Sequence, residues 1–302
     1  MGRLMRRTAI SLVVGMLAVV AVATGAHGKQ YGAWSVATAV AGVNGAATEG
    51  CPIEAPDGES LYIMSTRGPG GDQDIWVAVR GADGEFGSPE MLPAPVNSDA
   101  NDFCPTPLRG KWLLFVSARG GTDAYGTAAC GGGDMYLTRR SPATGEWAAP
   151  RNLGCQTDGG PNRAGTEFGP SLVETDAGTL LFYSSGGAVG SSTQDIYVSR
   201  RLADGSFGPG EPVAELNSPS DDIMPNVRKD GREVVFASTR AGGQGAFDIW
   251  SSTRSTVFAP WSAPVNLGPA VNGPGPETRP SLSWDGARLY FGRAGDIYLS
   301  SR

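Results

Sequence analysis

The stretch from Asp222 to Trp250 reads DIMPNVRKDGREVVFASTRAGGQGAFDIW and contains the unit from which the rest of the chain is built. A carboxylate is followed three residues later by a proline, and an Asp-Gly pair then precedes the apolar run Val234 to Ala237. This run ends in Ser-Thr-Arg, and a glycine-rich segment leads to Asp-Ile-Trp. Short apolar runs separated by such turn sequences predict β-strands joined by hairpins.

The same unit occurs five times, at a spacing of about 55 residues. Each copy has an asparagine, a carboxylate five residues later and a proline three residues after the carboxylate. The carboxylates, which we call the ring carboxylates, are Glu49, Asp102, Glu167, Asp222 and Glu277. The asparagines, which we call the crossing asparagines, are Asn44, Asn97, Asn162, Asn217 and Asn272. Five matching copies indicate one repeated structural element.

Each of the first four copies contains four short strand-like segments, and the last contains three. The third begins with an aspartate followed by Ile or Met and an aromatic residue, at Asp74, Asp134, Asp195, Asp248 and Asp296. The fourth is opened by an aromatic side chain, at Phe86, Trp147, Phe207 and Trp261. Four strands per repeat at this period are typical of a β-propeller, in which each repeat is one blade. We therefore predict an all-β, five-bladed propeller.

The two ends of the chain are predicted to share a blade. The last repeat reaches only its third strand at Arg302, whereas Gly32 to Ser35 near the N-terminus has the pattern of a fourth strand. Pairing them closes the ring and removes exposed sheet edges. We expect one domain over residues 27–302.

Composition agrees with a turn-rich β protein. The chain of 302 residues contains 45 Gly and 22 Pro, and 18% of its residues are charged, which excludes a helical bundle or coiled coil. The 40% hydrophobic content is sufficient for a folded core.

The first residues have the pattern of a secretory signal peptide. Arg3, Arg6 and Arg7 precede an apolar run from Thr8 to Thr24, and small residues follow. We predict a signal peptide over residues 1–26 and a periplasmic or secreted protein with no stable membrane span. The alternative is a retained membrane anchor, for which the run is short.

Charge and histidine content exclude several functions. The net charge of −6 disfavours a nucleic-acid partner. His27 is the only histidine, which rules out Ser-His-Asp and Cys-His nucleophiles and multi-histidine metal sites. We expect no cofactor and no metal centre of that kind.

The motif acid-x-x-Pro, Asp-Gly, Ser-x-Arg-Gly-Gly and Asp-Ile-Tyr resembles the WD40-like repeat of TolB-type β-propellers. The resemblance covers residues 30–302. It implies the propeller fold and is weak for function, because the family includes interaction propellers, peptidase-attached propellers and polysaccharide lyases. This chain has no hydrolase domain and lacks the histidines that the lyases use.

Strand direction assigns the two faces of the predicted ring. The ring carboxylates and the loops between second and third strands lie on one face, the top face, and the Asp-Gly turns lie on the opposite, bottom face. Loop length varies mainly at the top, so we expect that face to bind a ligand.

The ring carboxylates have two interpretations. In the structural one, Arg67, Arg119 and Arg240 pair with them and connect neighbouring blades. In the functional one, the ring binds a cation such as calcium, or a hydroxyl-rich ligand. Blade three carries Gly186 where the arginine is expected, so Glu167 lacks its partner. The aspartates that open the third strands are expected to be structural, since they recur in every blade.

Blade two is longer than the others, in Gly120 to Gly133 and Gly154 to Gly165. Each segment contains one cysteine, and we predict a Cys130–Cys155 disulfide. Cys51 and Cys104 occupy equivalent positions in adjacent blades, and the sequence leaves their pairing open. The candidate contact residues on these loops are Asp123, Tyr125, Asp158 and Asn162. The alternative is that they are ordinary surface-loop residues with no ligand.

Two functions remain. The first is a non-enzymatic, monomeric propeller that binds an envelope protein or a glycan through its top face. The alternative is a carboxylate-dependent glycoside hydrolase or lyase that acts on polysaccharide at the central channel. The sequence favours binding over catalysis without deciding between them.

Overall fold

The first two strands of each repeat are its most deeply buried segments, and the second of them is an apolar run. In the repeat from Asp222 to Trp250 this strand is Glu233–Ser238, and all six of its residues are buried. Val234, Val235 and Phe236 are residue types that favour extended backbone and pack well on a pleated surface. A strand that is apolar on both sides must be covered by a neighbouring blade on each side.

The computed structural model describes residues 31–186 and 193–302, and Gly32–Arg302 form one compact unit. The predicted signal peptide lies outside the described residues. The strands are β1 (Thr38–Ala39), β2 (Glu49–Glu54), β3 (Ser60–Ser65), β4 (Asp74–Val79), β5 (Glu90–Met91), β6 (Asp102–Leu108), β7 (Trp112–Ser117), β8 (Asp134–Arg139), β9 (Arg151–Asn152), β10 (Glu167–Thr175), β11 (Gly178–Gly186), β12 (Gln194–Arg200), β13 (Glu211–Pro212), β14 (Asp222–Val227), β15 (Glu233–Ser238), β16 (Asp248–Thr253), β17 (Val265–Asn266), β18 (Glu277–Leu282), β19 (Arg288–Arg293) and β20 (Asp296–Ser301). Two short 3-10 helices cover Arg109–Lys111 and Gln156–Asp158.

These strands form five four-stranded antiparallel sheets, so the predicted five-bladed propeller is confirmed. Blades one to four take consecutive strands from β2 to β17, and blade five has the order β1-β20-β19-β18. The innermost strand of every blade begins at a ring carboxylate, at β2, β6, β10, β14 and β18. The ring carboxylates therefore share one end of the central channel.

The N-terminal strand closes the ring as predicted, but a few residues later in the chain. Thr38 pairs with Leu299 and Ala39 with Tyr298. The predicted segment contributes single contacts instead: the backbone amide of Ser35 donates to the carbonyl of Ser301 at 2.8 Å.

Each innermost strand carries a bulge two residues after its ring carboxylate. The bulged residues have a positive φ and interrupt the pairing register with the second strand. They are Cys51, Cys104, Gly169, Met224 and Arg279. The proline that follows fits here because it donates no hydrogen bond to the sheet. The five equivalent bulges turn these residues toward the axis of the ring.

The crossing asparagines join each blade to the one before it. Asn97 accepts the backbone amide of Ile75 at 2.8 Å and donates to the carbonyls of Ile75 and Leu92. The equivalent bond from Asn44 to Ile297 connects blade one to blade five. Each asparagine thus satisfies backbone groups that would otherwise be buried without partners.

Two disulfides add covalent links in the ring. Cys130 pairs with Cys155, as predicted for the blade-two loops. Cys51 pairs with Cys104, which resolves the pairing that the sequence left open and joins blades one and two beside the channel. In the part of the chain that the structure describes, no helix is long and apolar enough to span a membrane.

Replacing Asn97 with alanine should destabilise the ring. The change leaves the amide of Ile75 and the carbonyl of Leu92 buried without partners and removes one of the two hydrogen bonds to the carbonyl of Ile75, at a cost of roughly 3 kcal/mol. Urea unfolding followed by tryptophan fluorescence measures the loss. The control Asn101→Ala removes one exposed hydrogen bond, to Gln73, and should cost under about 1 kcal/mol. Equal losses in the two variants would contradict a bridging role.

Candidate functional site

Four of the five ring carboxylates are buried and paired with arginine. Arg67 Nη2 lies 2.6 Å from Glu49 Oε1, and Arg119 Nη2 lies 2.7 Å from Asp102 Oδ1. The remaining two pairs are Arg240 with Asp222 and Arg293 with Glu277. The four carboxylate side chains have no exposed surface. These carboxylates are therefore engaged inside the ring and do not face a ligand.

The same guanidinium groups also reach the preceding crossing segment. Arg67 Nη2 donates to the carbonyl of Val43 at 2.7 Å, one residue before the crossing asparagine. Arg119, Arg240 and Arg293 make the equivalent bonds to Val96, Leu216 and Val271. One guanidinium thus binds a ring carboxylate and the backbone carbonyl six residues before it, and so holds the crossing segment against the end of the second strand.

Among the described residues, Glu167 in blade three has no arginine partner. Glu167 pairs with Ser185, so the position equivalent to Arg67 is Gly187, one residue later than the Gly186 inferred from the sequence. Gly187 lies outside the described residues. Glu167 Oε1 accepts the amide of Arg163 and the hydroxyl of Ser185, and Oε2 is buried without a hydrogen-bond partner. Burial raises the pKa of Glu167 to about 8, so the carboxyl group is mostly protonated at neutral pH.

A tyrosine takes over part of the missing arginine's role. Tyr183 donates its hydroxyl to the carbonyl of Pro161 at 2.7 Å, and Pro161 precedes the crossing asparagine Asn162. This carbonyl is the equivalent of Val43 in blade one. A neutral tyrosine and a protonated glutamic acid together replace a charged pair.

The aspartates that open the third strands fall into two groups. Asp134 accepts the amide of Cys130, and Asp248 accepts the amides of Gln244 and Gly245, so these two hold the loop that precedes them. Among the described residues, no hydrogen bond to the side chains of the other three, Asp74, Asp195 and Asp296, is present.

The four candidate contact residues on the blade-two loops differ in burial and in their hydrogen bonds. Asn162 is buried and bridges to Met135, like the other crossing asparagines. Asp123 accepts the amides of Tyr125, Thr127 and Asn152, which lower its pKa. Asp158 is exposed in the second 3-10 helix. Tyr125 is 55% exposed, so it is the aromatic side chain that this loop presents to solvent.

The central channel is filled at the level of the bulges by Arg279. Its guanidinium crosses from blade five to the carbonyls of Pro225 and Pro170 and to Thr106 Oγ1, at 3.4, 3.2 and 3.1 Å. Arg279 is 1% exposed and has no carboxylate partner in the described part of the chain. The top and bottom ends of the channel are therefore separated by a buried cation.

Below Arg279 the channel opens on the bottom face into a cavity of about 630 Å³. Thr106, Ser171 and Asn226, from blades two, three and four, form its inner end. Its mouth is formed by the residues seven positions after each ring carboxylate, where the innermost strands run into their turns, and by neighbouring turns. These five mouth residues are Pro56, Arg109, Glu174, Lys229 and Trp284.

Aromatic and cationic side chains converge at this mouth. The Arg109 guanidinium lies 4.6 Å, and the Lys229 ammonium 5.2 Å, from the centre of the Trp284 ring. Trp112, 38% exposed, also lines the cavity. The sequence interpretation expected function at the top face and did not single out these residues. The sequence contained one indication of these residues: the position seven residues after the ring carboxylate differs in every repeat, whereas the structural positions recur.

Comparison with solved structures finds the same fold. A thermostable family-43 glycoside hydrolase has a TM-score of 0.53 at 14% identity, over 87% of this chain and 91% of its own. An α-L-arabinofuranosidase from Lactobacillus brevis has a TM-score of 0.53 at 10% identity, over 84% and 90%. TolB from Acinetobacter baumannii gives 0.45 at 14% identity, over 85% and 55%. No protein-family profile and no curated protein sequence matches the chain.

At identities this low, the likeness establishes the propeller fold and no activity. The resemblance to TolB-type repeats stays a prediction. Among residues 31–186 and 193–302, no group of three or more His, Cys, Asp or Glu side chains is arranged to hold a metal ion.

Isosteric amides at two ring positions should have opposite effects. Asp222→Asn leaves the largely buried Arg240 without a counter-ion and should lower the free energy of unfolding by about 3 kcal/mol at pH 7. Glu167→Gln removes an acid that must take up a proton on folding at pH 7, so it should raise the free energy of unfolding, by up to about 3 kcal/mol. Urea unfolding of both variants measures the difference. A loss in Glu167→Gln as large as in Asp222→Asn would show that Glu167 is ionised.

Glu167 should also make the protein less stable as pH rises. Its pKa is about 8 in the folded state and near 4.5 when unfolded, so unfolding releases a proton between these values. The contribution of Glu167 to stability then falls by up to about 1.4 kcal/mol per pH unit in this window. Glu167→Gln should remove this slope, whereas the exposed Glu85→Gln should retain it. Parallel wild-type and Glu167→Gln curves from pH 5 to 8 would exclude the raised pKa.

Proposed function

We propose that this protein is a non-catalytic β-propeller that acts outside the cytoplasm and binds a glycan in the cavity at the bottom mouth of the channel. The observation that carries the proposal is the cavity itself. Its volume of about 630 Å³ is that of a small-molecule site, and it combines an exposed indole with hydroxyl and amide groups.

The chemistry of the lining suits a sugar. One face of a pyranose ring is apolar and packs against an aromatic ring such as Trp112, which lines the cavity. The hydroxyl groups of the sugar need donors and acceptors, and Thr106, Ser171 and Asn226 supply them at the inner end.

Action outside the cytoplasm is supported by two observations. Two disulfides join four cysteines, which is the usage of proteins in oxidising compartments. The N-terminal sequence also has the pattern of a secretory signal peptide.

The top face offers less for binding than the sequence suggested. Four ring carboxylates are paired with arginine, and of the blade-two candidates only Tyr125 is both aromatic and exposed. The binding experiment therefore has to distinguish a site in the bottom cavity from a site on the blade-two loops.

The second candidate is a carboxylate-dependent glycoside hydrolase or lyase. The observation that favours it is Glu167, whose pKa of about 8 keeps it protonated as a general acid would be. The structural neighbours named as glycoside hydrolases supply the substrate class for this candidate. Against it, Glu167 is fully buried and the ring carboxylates on either side of it, Asp102 and Asp222, are paired with arginine.

Glycan binding should depend on Trp112. A glycan array identifies a ligand, and calorimetry with that ligand should then show that Trp112→Ala weakens binding by about tenfold, or ~1.4 kcal/mol. Phe258→Ala, which removes a 74% exposed aromatic side chain away from the cavity lining, is the matched control and should bind normally. Loss of binding in Tyr125→Ala, with Trp112→Ala unaffected, would move the site to the top face.

The wild-type protein and its variants also distinguish binding from catalysis. Incubation with arabinan and with a uronate-containing polysaccharide, followed by chromatography, should release no product. Product release that disappears in Glu167→Gln and persists in Glu85→Gln would overturn the binding proposal in favour of the enzyme.

A further inference from the structure

We propose that the glycan bound in the bottom cavity is anionic and carries carboxylate or sulfate groups that are recognised by Arg109 and Lys229. The inference rests on the proposed function and specifies its ligand class. It depends on the charges at the mouth of the cavity and on how they are held.

Trp284 brings two cations from opposite parts of the ring together. Arg109 belongs to blade two and Lys229 to blade four, and Trp284 comes from blade five. Both cations lie within about 5 Å of the same indole ring, where cation–π attraction holds them. Neither forms an ion pair with any described carboxylate, and both are exposed. The two charges are thus held in place and available to a ligand.

Most acids that line the cavity are already neutralised within the protein. Glu54 accepts hydrogen bonds from Arg80, Arg288 and Tyr290. Asp230 pairs with Arg228 at 2.7 Å. Glu174 is the lining acid that forms no ion pair in the described part of the chain. The lining cations that oppose it are Arg109, Lys229 and Arg201, and among the described residues the Arg201 side chain donates only to the carbonyl of Gly205.

A further positive charge lies behind the inner end of the cavity. Arg279 donates to Thr106, which lines the cavity, and otherwise to backbone carbonyls. Burial lowers the pKa of Arg279 to about 9, so it remains charged at neutral pH. A buried cation without a carboxylate partner raises the potential of the adjoining cavity more than an exposed one would.

The sign of this region is opposite to that of the whole chain. The protein has a net charge of −6, yet the cavity mouth carries uncompensated cations. A neutral sugar would leave those charges unused, whereas a carboxylate or sulfate accepts charge-assisted hydrogen bonds from them. The same cavity therefore favours an acidic sugar over its neutral counterpart.

The experiment compares three oligosaccharides of matched length by calorimetry on the full protein: a galacturonate tetramer, a neutral galactose tetramer and a sulfated galactose tetramer. We expect at least one acidic tetramer to bind about tenfold more tightly than the neutral one, with an affinity that falls as salt rises. Preference for the carboxylated or for the sulfated tetramer identifies which source supplies the acidic group.

Single charge changes test the residues. Arg109→Gln and Lys229→Gln should each weaken binding of the acidic tetramer by about tenfold, without affecting the neutral one. Glu174→Gln removes the opposing charge and should strengthen binding of the acidic tetramer. Arg151→Gln, an exposed arginine on the outermost strand β9, is the control and should change neither affinity.

The outcomes separate the two proposals. Equal affinity for acidic and neutral tetramers, or no effect of the Arg109 and Lys229 variants, would overturn the anionic ligand and leave glycan binding intact. Absence of binding to every glycan on the array would overturn the proposed function itself. Unchanged melting temperatures of the variants ensure that a lost affinity is not lost folding.

Discussion

The pairing of an arginine at the end of one strand with a carboxylate at the start of the innermost strand is the interaction on which the ring depends. A buried carboxylate is costly unless a cation and hydrogen bonds compensate it. Arg67 meets this need for Glu49 and also binds the carbonyl of Val43, in the crossing from the preceding blade. The compensation of one charge thus fixes the position of a neighbouring blade. Asn44 completes the same junction by pairing with strand β20.

Two buried ionisable side chains in the ring, Glu167 and Arg279, are not compensated by an ion pair. In blade three, Glu167 has no arginine partner among the described residues and remains mostly protonated, while Tyr183 donates to the carbonyl of Pro161 in the crossing segment. On the axis, Arg279 has no carboxylate partner among the described residues: its terminal nitrogens donate to Thr106 and to the carbonyls of Pro170 and Pro225, and its Nε is buried without a hydrogen-bond partner. In both cases neutral groups supply the hydrogen bonds in place of an ion pair, and one polar atom of the side chain stays buried without a partner. Arg279 has the wider consequence, since it divides the channel and makes the lower half a closed-ended cavity with a positive inner end.

The fold could be predicted because its evidence is repeated. The spacing from Asn217 to Asp222 to Pro225 occurs five times, and each occurrence places the same groups at the same junction. The bottom-face cavity could not be predicted in this way, because Arg109, Lys229 and Trp284 are different residues at one equivalent position. A position that differs in every repeat looks like a variable turn when the repeats are aligned. Variation in loop length pointed instead to the blade-two loops as the binding site. There, Asn162 is a buried crossing asparagine and Asp123 accepts backbone amides.

The sequence by itself determined the number of blades, their strand order, the closure of the ring by its N-terminal segment and the Cys130–Cys155 disulfide, because each follows from local pattern or from the pairing of neighbouring segments. Only the tertiary structure decided the Cys51–Cys104 disulfide, the neutral state of Glu167 and the filling of the channel by Arg279. It also decided that two cations from blades two and four meet on Trp284. These features depend on distances across the ring axis, and residues more than 100 positions apart along the chain come within contact there only when the ring has closed.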